Sequence, residues 1–313
     1  MNRRLRGFGG TVAVALGAAG GLALVNRWLL LDDLPPTLPG AMHDWLWRGY
    51  RVRYTTLGSG PPVVLLHGIH AAASSFEMRQ VFEPLSHSHT VFALDWLGFG
   101  KSERPAVRYD GHLYASLLAD FLREIVQEPC TLVASSLSAA HAVEAARAQP
   151  ASIARLVLIS PTFQTSLGLG GKLFAGLLAS PLVGAAAFNV LVSHASIQSY
   201  LRKAYADPSF VDEPLVEQQW ATAHQPNARL APAAFVAGAF ELPTSGLAVI
   251  EAPILAVRGS VPGIGQQATD GELRLLGPNV TIETIPAAGQ LPHDEAADRL
   301  LALLASWSTS PGA

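Results

Sequence analysis

The chain reads as an α/β protein: a mostly parallel, doubly wound sheet with a helical insertion and an N-terminal hydrophobic helix. Three observations predict this. Short, continuously apolar runs alternate with helical patterns of ten to fifteen residues between about residues 63 and 159, the pattern of a parallel sheet wound by right-handed crossovers. From Thr162 to about Ile250 the alternation stops and the pattern is helical, broken by Pro181, Pro208, Pro214 and Pro226; that is too long for a loop. An uncharged, mostly apolar run from Gly7 to Val25 follows Arg3, Arg4 and Arg6.

That first run, at about 1.5 Å per residue, is just long enough to cross a bilayer core of roughly 30 Å. Three arginines before it, and only Arg27 close behind, place the N-terminus in the cytoplasm and the main domain outside. An uncleaved single-pass anchor in the cell membrane over residues 1–33 is the favoured reading; a cleaved signal peptide with secretion, or a hydrophobic helix resting on a soluble domain, are the alternatives. The Pro-rich stretch from Leu34 begins a linker over residues 34–44.

In the body, Trp45 to Thr56 alternates as a first strand or hairpin, and Gly58 to Pro62 is a turn. Val63 to Leu66 and Val91 to Leu94 are apolar throughout, as strands buried on both faces are. Helices are expected over Ser74 to Leu85, Leu113 to Val126 and from Ser136 to about Ala148, with strands before Ser136 and over Leu156 to Ile159. After the insertion the sheet resumes at Ile254 to Val257 and Val280 to Ile285, and a last amphipathic helix runs from about Asp294 to Trp307. The core is thus residues 45–161 and 251–308, and the helical cap is 162–250.

Composition narrows the function. The chain has 313 residues, 50% of them apolar and 14% charged, with a formal net charge of −3. Near-neutral charge without basic clusters excludes nucleic acid as a partner. One cysteine, Cys130, leaves neither a disulfide framework nor a cysteine metal site. No metal or cofactor is expected.

The stretch Thr131-Leu132-Val133-Ala134-Ser135-Ser136-Leu137-Ser138-Ala139-Ala140 is where the chemistry points. An apolar strand runs into a serine flanked at two-residue spacing by small side chains, and a helical pattern follows at once, so the central side chain is pushed out at the end of the sheet. Taken alone, it reads equally well as a buried serine capping a helix. Three more motifs follow the same order along the chain: His67-Gly68 after a strand, Asp95-Trp96-Leu97-Gly98-Phe99-Gly100-Lys101-Ser102, and Gly289-Gln290-Leu291-Pro292-His293-Asp294-Glu295. Together they resemble the α/β-hydrolase fold over about residues 45 to 308, and within it the capped bacterial hydrolases with a Ser-Ser-Leu-Ser-Ala-Ala elbow.

The resemblance implies a serine nucleophile, a histidine base and a carboxylate that orients the histidine. Ser136 stands at the nucleophile position. Gln290 stands at the position of the catalytic histidine, and Pro262 at that of the catalytic aspartate, so the triad is expected to be degenerate. The alternative acid position offers only Ser160, Pro161 and Thr162. Ile69 and Leu137 are the implied backbone donors of the oxyanion hole. Losing the base of a triad costs on the order of a million-fold in turnover, with roughly a thousand-fold or more left to the oxyanion hole and binding.

His70 and His293 are the candidates for a substitute base. His70 reads equally as a loop histidine packed under the cap, and His293 more readily as a surface or capping residue. His67, His141 and Asp95 read as structural, and Asp270 and Glu272 as a solvated helix face. In the insertion Phe174, Leu177, Leu178, Leu182, Val183, Phe188, Leu191 and Val192 suggest a dense cap core; a part facing Ser136 would suit a small apolar ester or acyl-type ligand, and the cap could rest on a bilayer. Three functions remain open: a membrane-anchored esterase- or lipase-like hydrolase with weak or absent turnover, a catalytically silent binding protein, and a non-hydrolytic enzyme using the same pocket.

Overall fold

The computed structural model describes residues 26, 27, 29, 30, 34, 38–163, 168–180, 183–241, 250–264 and 267–308. Its centre is an eight-stranded sheet of β1 (Ala41–Trp47), β2 (Tyr50–Leu57), β3 (Pro62–Leu66), β4 (Thr90–Asp95), β5 (Cys130–Ser135), β6 (Ile153–Ile159), β7 (Ile254–Gly259) and β8 (Val280–Ile285), in the order β1-β2-β4-β3-β5-β6-β7-β8. The hairpin β1–β2 and the β2–β4 pair are antiparallel; every later pair is parallel. Trp45 to Thr56 is therefore a hairpin, and β1 begins at Ala41, inside the stretch expected as linker. Leu34 and Leu38 are buried as well, so this approach to the sheet is packed down rather than loose.

Alternation along the parallel strands feeds two separate apolar layers, since successive side chains leave a strand on opposite faces. Val64, Leu66, Leu132, Ala134, Leu156 and Leu158 face α2 (Gly111–Phe121) and α3 (Ser138–Ala148). Val63, Leu65, Val133, Val157 and Leu255 face α1 (Arg79–Ser86) and α11 (Ala297–Ser308). Asp110 caps α2 by accepting the Leu113 amide at 2.9 Å, and a π turn over Leu122–Val126 extends the helix until Gln127 ends it at φ +62°. Cys130 is buried in β5, where burial pushes its thiol up to about 12.

The insertion is helical as expected: α4 (Gly168–Ala179), α5 (Val183–Leu191), α6 (His194–Ala204), α7 (Glu213–Ala223) and α8 (Leu230–Val236). Its core is smaller than the sequence suggests. Leu178, Phe188 and Val192 are buried with Ile197, Leu201, Leu215 and Val216, but Phe174, Leu177, Val183 and Leu191 are exposed. Leu182 lies outside the described residues. The short helix α9 (Asp270–Arg274) opens with a reciprocal cap between Thr269 and Glu272, and Asp270 pairs with Arg258 at 2.7 Å, so both acids are engaged rather than merely solvated. The last amphipathic segment is two helices, α10 (Pro292–Glu295) and α11, because Ala296 leaves helical geometry at φ −136°.

The expected N-terminal apolar helix lies outside the described residues; among those described, no single helix is long and apolar enough to cross a membrane.

His141, on α3, is fully buried against Trp96 and Tyr114, with ring centroids 5.8 and 5.5 Å away. Among the described residues neither ring nitrogen has a hydrogen-bond partner, and burial pulls its pKa down to about 3. It is a packing residue held neutral. The unfolded chain takes up a proton near pH 6.5 and the folded one does not, so the fold loses stability as pH falls below 6.5 and down toward 3. Chemical denaturation should show His141 alone removing about 2 kcal/mol between pH 7 and pH 5, a loss that His141→Leu abolishes.

Candidate active site

The strand-to-helix turn between β5 and α3 holds Ser136 at φ +52°, left-handed backbone that a non-glycine residue adopts only when its surroundings enforce it. They do so from both sides. The Ser136 amide donates to the Ile159 carbonyl at 2.8 Å, and its own carbonyl accepts from Thr162 at 3.2 Å. Ala134 and Ser138, the small residues flanking it, are both fully buried. Ser138 also has a task that its spacing in the sequence did not reveal. Its hydroxyl donates to the His67 carbonyl at 2.6 Å and accepts from the Trp96 indole at 3.0 Å, tying the turn to the loop after β3.

That loop is fixed in turn by His67. Its Nδ1–H donates to the Gly68 carbonyl at 2.6 Å and its Nε2 accepts from the Trp96 amide at 3.3 Å. Burial pulls its pKa down, consistent with this neutral, structural ring. Asp95 is structural too, accepting from the Ser75 amide at 2.7 Å and the Lys101 amide at 2.9 Å. Gly100 sits at φ +51°, and a Cβ there would come within 2.1 Å of the Asp95 carboxylate. The Ile69 and Leu137 amides, flanking Ser136 on the two tied segments, have no hydrogen-bond partner among the described residues.

Gln290 lies where the loop after β8 meets the loop after β7. Its Oε1 accepts from the Ile264 amide at 2.8 Å, and a Cβ on Gly263 would come within 2.6 Å of the Gln290 Cβ. Pro262, in that same loop, is exposed. The structure thus brings positions 290 and 262 to neighbouring segments. Ser160, at the alternative acid position, is fully buried at φ +43° with an unpartnered hydroxyl.

Glu77 belongs to none of the sequence motifs. It lies in a 3-10 turn, Ser75–Met78, between β3 and α1, and is buried. Its Oε2 accepts from the Gly68 amide at 3.0 Å, and its Oε1 accepts from His293 Nε2 at 3.1 Å. His70 Nε2 lies 3.8 Å from Oε2. A point one Cβ beyond Gly68 would be 3.2 Å from Glu77 Oε2 and 3.4 Å from Ser136 Cβ, so the carboxylate sits close to the serine. Burial pushes the Glu77 carboxyl up, but the His293 hydrogen bond and the nearby His70 ring outweigh it and hold the group well below its usual 4.5.

His293 is therefore not a surface residue: it is fully buried on Glu77, and its Nδ1 has no partner among the described residues. His70 is partly open; its ring stacks on Tyr200 of α6 at 5.7 Å, and its Nδ1 accepts from the Ala72 amide at 3.3 Å. Beside them Arg79 meets Asp294 at 2.7 Å, and the Tyr205 hydroxyl donates to the same carboxylate. Here burial prevails over Arg79 and Tyr205, and the Asp294 carboxyl is pushed up. Glu77 is legible afterwards as a lone acid between Phe76 and Met78, nine positions after Gly68. No cluster of three or more metal-ligating side chains occurs among the described residues.

Because Glu77 is buried against two histidines, removing its charge leaves them facing a neutral amide. Glu77→Gln should lower unfolding free energy by about 3 kcal/mol at pH 7. The Glu77 contribution is complete above pH 4.5 and fades as pH falls through the depressed folded pKa, so the gap between parent and variant should narrow in acid. Equal unfolding midpoints at pH 7 would show that the pair contributes nothing.

An uncharacterized protein of Mycobacterium tuberculosis is 35% identical over 130 residues, 41% of this chain and 36% of that protein. A soluble epoxide hydrolase of Corynebacterium is 42% identical over 74 residues, 24% of this chain and 25% of that enzyme. Each match thus spans little more than a third of the relative's own length or less. Among solved structures, the epoxide hydrolase CorEH superposes with a TM-score of 0.72 at 20% identity, covering 84% of this chain and 96% of that one. A 2-hydroxy-6-oxo-6-phenylhexa-2,4-dienoate hydrolase from Rhodococcus gives 0.71 at 18% identity, covering 86% and 99%. At these identities the structures establish shared fold alone. The model of the alpha/beta hydrolase family, however, matches residues 63–303, most of the chain, and with the elbow and the tied loops in place the protein belongs to the alpha/beta hydrolase family.

Proposed function

We propose that the protein is a membrane-anchored serine hydrolase of the esterase or lipase class, acting slowly on small apolar esters or acyl compounds through a degenerate triad. The observation that carries this reading is Ser136 in its left-handed turn, flanked by the unpartnered Ile69 and Leu137 amides. Two free backbone donors beside a nucleophile position are what an oxyanion hole requires. Gln290 in the histidine position cannot take the serine proton, and its amide is already engaged by Ile264.

His70 is the better stand-in base than His293, which is fully buried. Its Nδ1 lone pair is held only by a long contact to Ala72, and Glu77 stands ready to stabilise charge on its Nε2. Glu77 itself is too acidic to be an effective base near neutral pH. The second reading, a catalytically silent binding protein, is favoured by the Gln290–Ile264 bond, which closes the histidine position with a group that has no acid–base use.

Labelling by a fluorophosphonate probe separates the two. The native protein should label, Ser136→Ala should not, and His70→Gln should label at least about a hundredfold more slowly; no labelling of the folded native chain selects the binding protein. Gln290→His with Pro262→Asp places a base and an acid on the two loops that already touch. That variant should raise turnover of a short-chain ester by roughly a hundredfold or more, and no gain in the folded variant would show that these are not the triad positions.

A further inference from the structure

The cap carries an apolar surface that the fold leaves uncovered. In α4 the buried positions are Gly171, Ala175 and Leu178, one narrow stripe. The rest of the helix exposes Leu169, Leu173, Phe174 and Leu177, with Leu169 75% and Leu173 70% exposed. In α5, Val183, Val190 and Leu191 are exposed, Val190 at 71%. The two helices meet at 113°, and Lys172 is the one charged residue in them. Scattered apolar residues are ordinary on a surface; seven large ones on two adjoining helices are not.

Two further observations bear on what this surface meets. Asn189 of α5 donates its side-chain amide to Asn26 at 2.9 Å. Asn26 directly follows the apolar run Gly7 to Val25 in the sequence, so α5 is tied, beside Val190 and Leu191, to the residue after that run. If the run crosses a bilayer, as its length and flanking arginines favour, α5 is brought to the membrane face. The second observation concerns the site. The Thr162 amide donates to the Ser136 carbonyl at 3.2 Å, and only residues 164–167 separate Phe163 from α4. Five residue steps span at most about 18 Å, so the exposed face begins within that distance of the segment touching the serine.

We propose that α4 and α5 of the cap form a lipid-docking surface. Leu169, Leu173, Leu177 and Val190 enter the acyl region, and Lys172 stays at headgroup level as long cationic side chains do at interfaces. The proposal rests on the anchoring part of the function proposed above, and it specifies the source of the substrate. An acyl compound reaches Ser136 from the bilayer rather than from water.

Cys130 is buried, so a single introduced cysteine can be labelled cleanly with an environment-sensitive fluorophore. The full chain carrying Leu173→Cys or Val190→Cys is compared with Glu128→Cys, an exposed position preceding β5 at the opposite end of the sheet from Ser136. Each is reconstituted into phosphatidylcholine and phosphatidylglycerol vesicles with and without nitroxide-labelled acyl chains. The chain should float with the vesicles, and nitroxide should quench both cap labels at least about twofold while sparing the Glu128 label. In a Leu173→Glu, Leu177→Glu background the Val190 label should fall to the control level while flotation persists.

Flotation without quenching at the cap overturns the inference and leaves the anchor standing. In that case cap labels already blue-shifted without lipid would mean that residues 7–25 or a second copy cover the surface. Quenching unchanged by the two glutamates also overturns it. A full chain that does not float removes the anchoring reading and the docking surface together.

Discussion

The left-handed turn at Ser136 is the constraint around which the site is assembled. Such backbone costs a non-glycine residue roughly 1–2 kcal/mol, and it survives here because three separate elements enforce it. The amide is held by β6, the carbonyl by the chain entering the cap, and the following helix by the Ser138 hydroxyl on His67. The same bonds that hold the turn also hold the loop carrying Ile69. Ser136 and the segments carrying the Ile69 and Leu137 amides are therefore tied into one unit, and that unit is closed by the hydrogen bonds of the Trp96 amide and indole.

Below that unit the electrostatics are divided between two buried carboxylates. Glu77 and Asp294 lie on adjoining elements, and both are linked to His293 or its neighbours. Yet their acidities are displaced in opposite directions. Glu77 receives the Gly68 amide and His293 and remains an anion. Asp294 has one oxygen committed to Arg79 and Tyr205 and one with no partner, so burial prevails. Environments that separate the acidities of neighbouring carboxylates characterise sites of proton chemistry, although salt-bridge networks serving structure alone produce the same separation.

The sheet was legible because its central parallel strands are buried on both faces and so leave unbroken apolar runs such as Val63 to Leu66. The motifs were legible because turns at strand ends need particular small residues in particular places. Glu77 was not legible: it belongs to no periodic face, and its role depends on Gly68 and on His293, which is 216 positions away. His293 was misjudged for the same reason, since nothing local to Pro292-His293-Asp294 reveals that the segment packs onto the 3-10 turn before α1. The cap was only half legible. Apolar spacing in α4 and α5 marks helices, but it cannot say that only Gly171, Ala175 and Leu178 of α4 are buried.

One contact links access to alignment. The Gln290 amide donates to the carbonyl of Ala204, the last residue of α6, at 2.7 Å. A Cβ on the preceding Gly289 would come within 2.3 Å of that same carbonyl. The floor of the cap is thus fastened to the loop that sets position 290. Any displacement of that end of α6 is therefore transmitted directly to position 290.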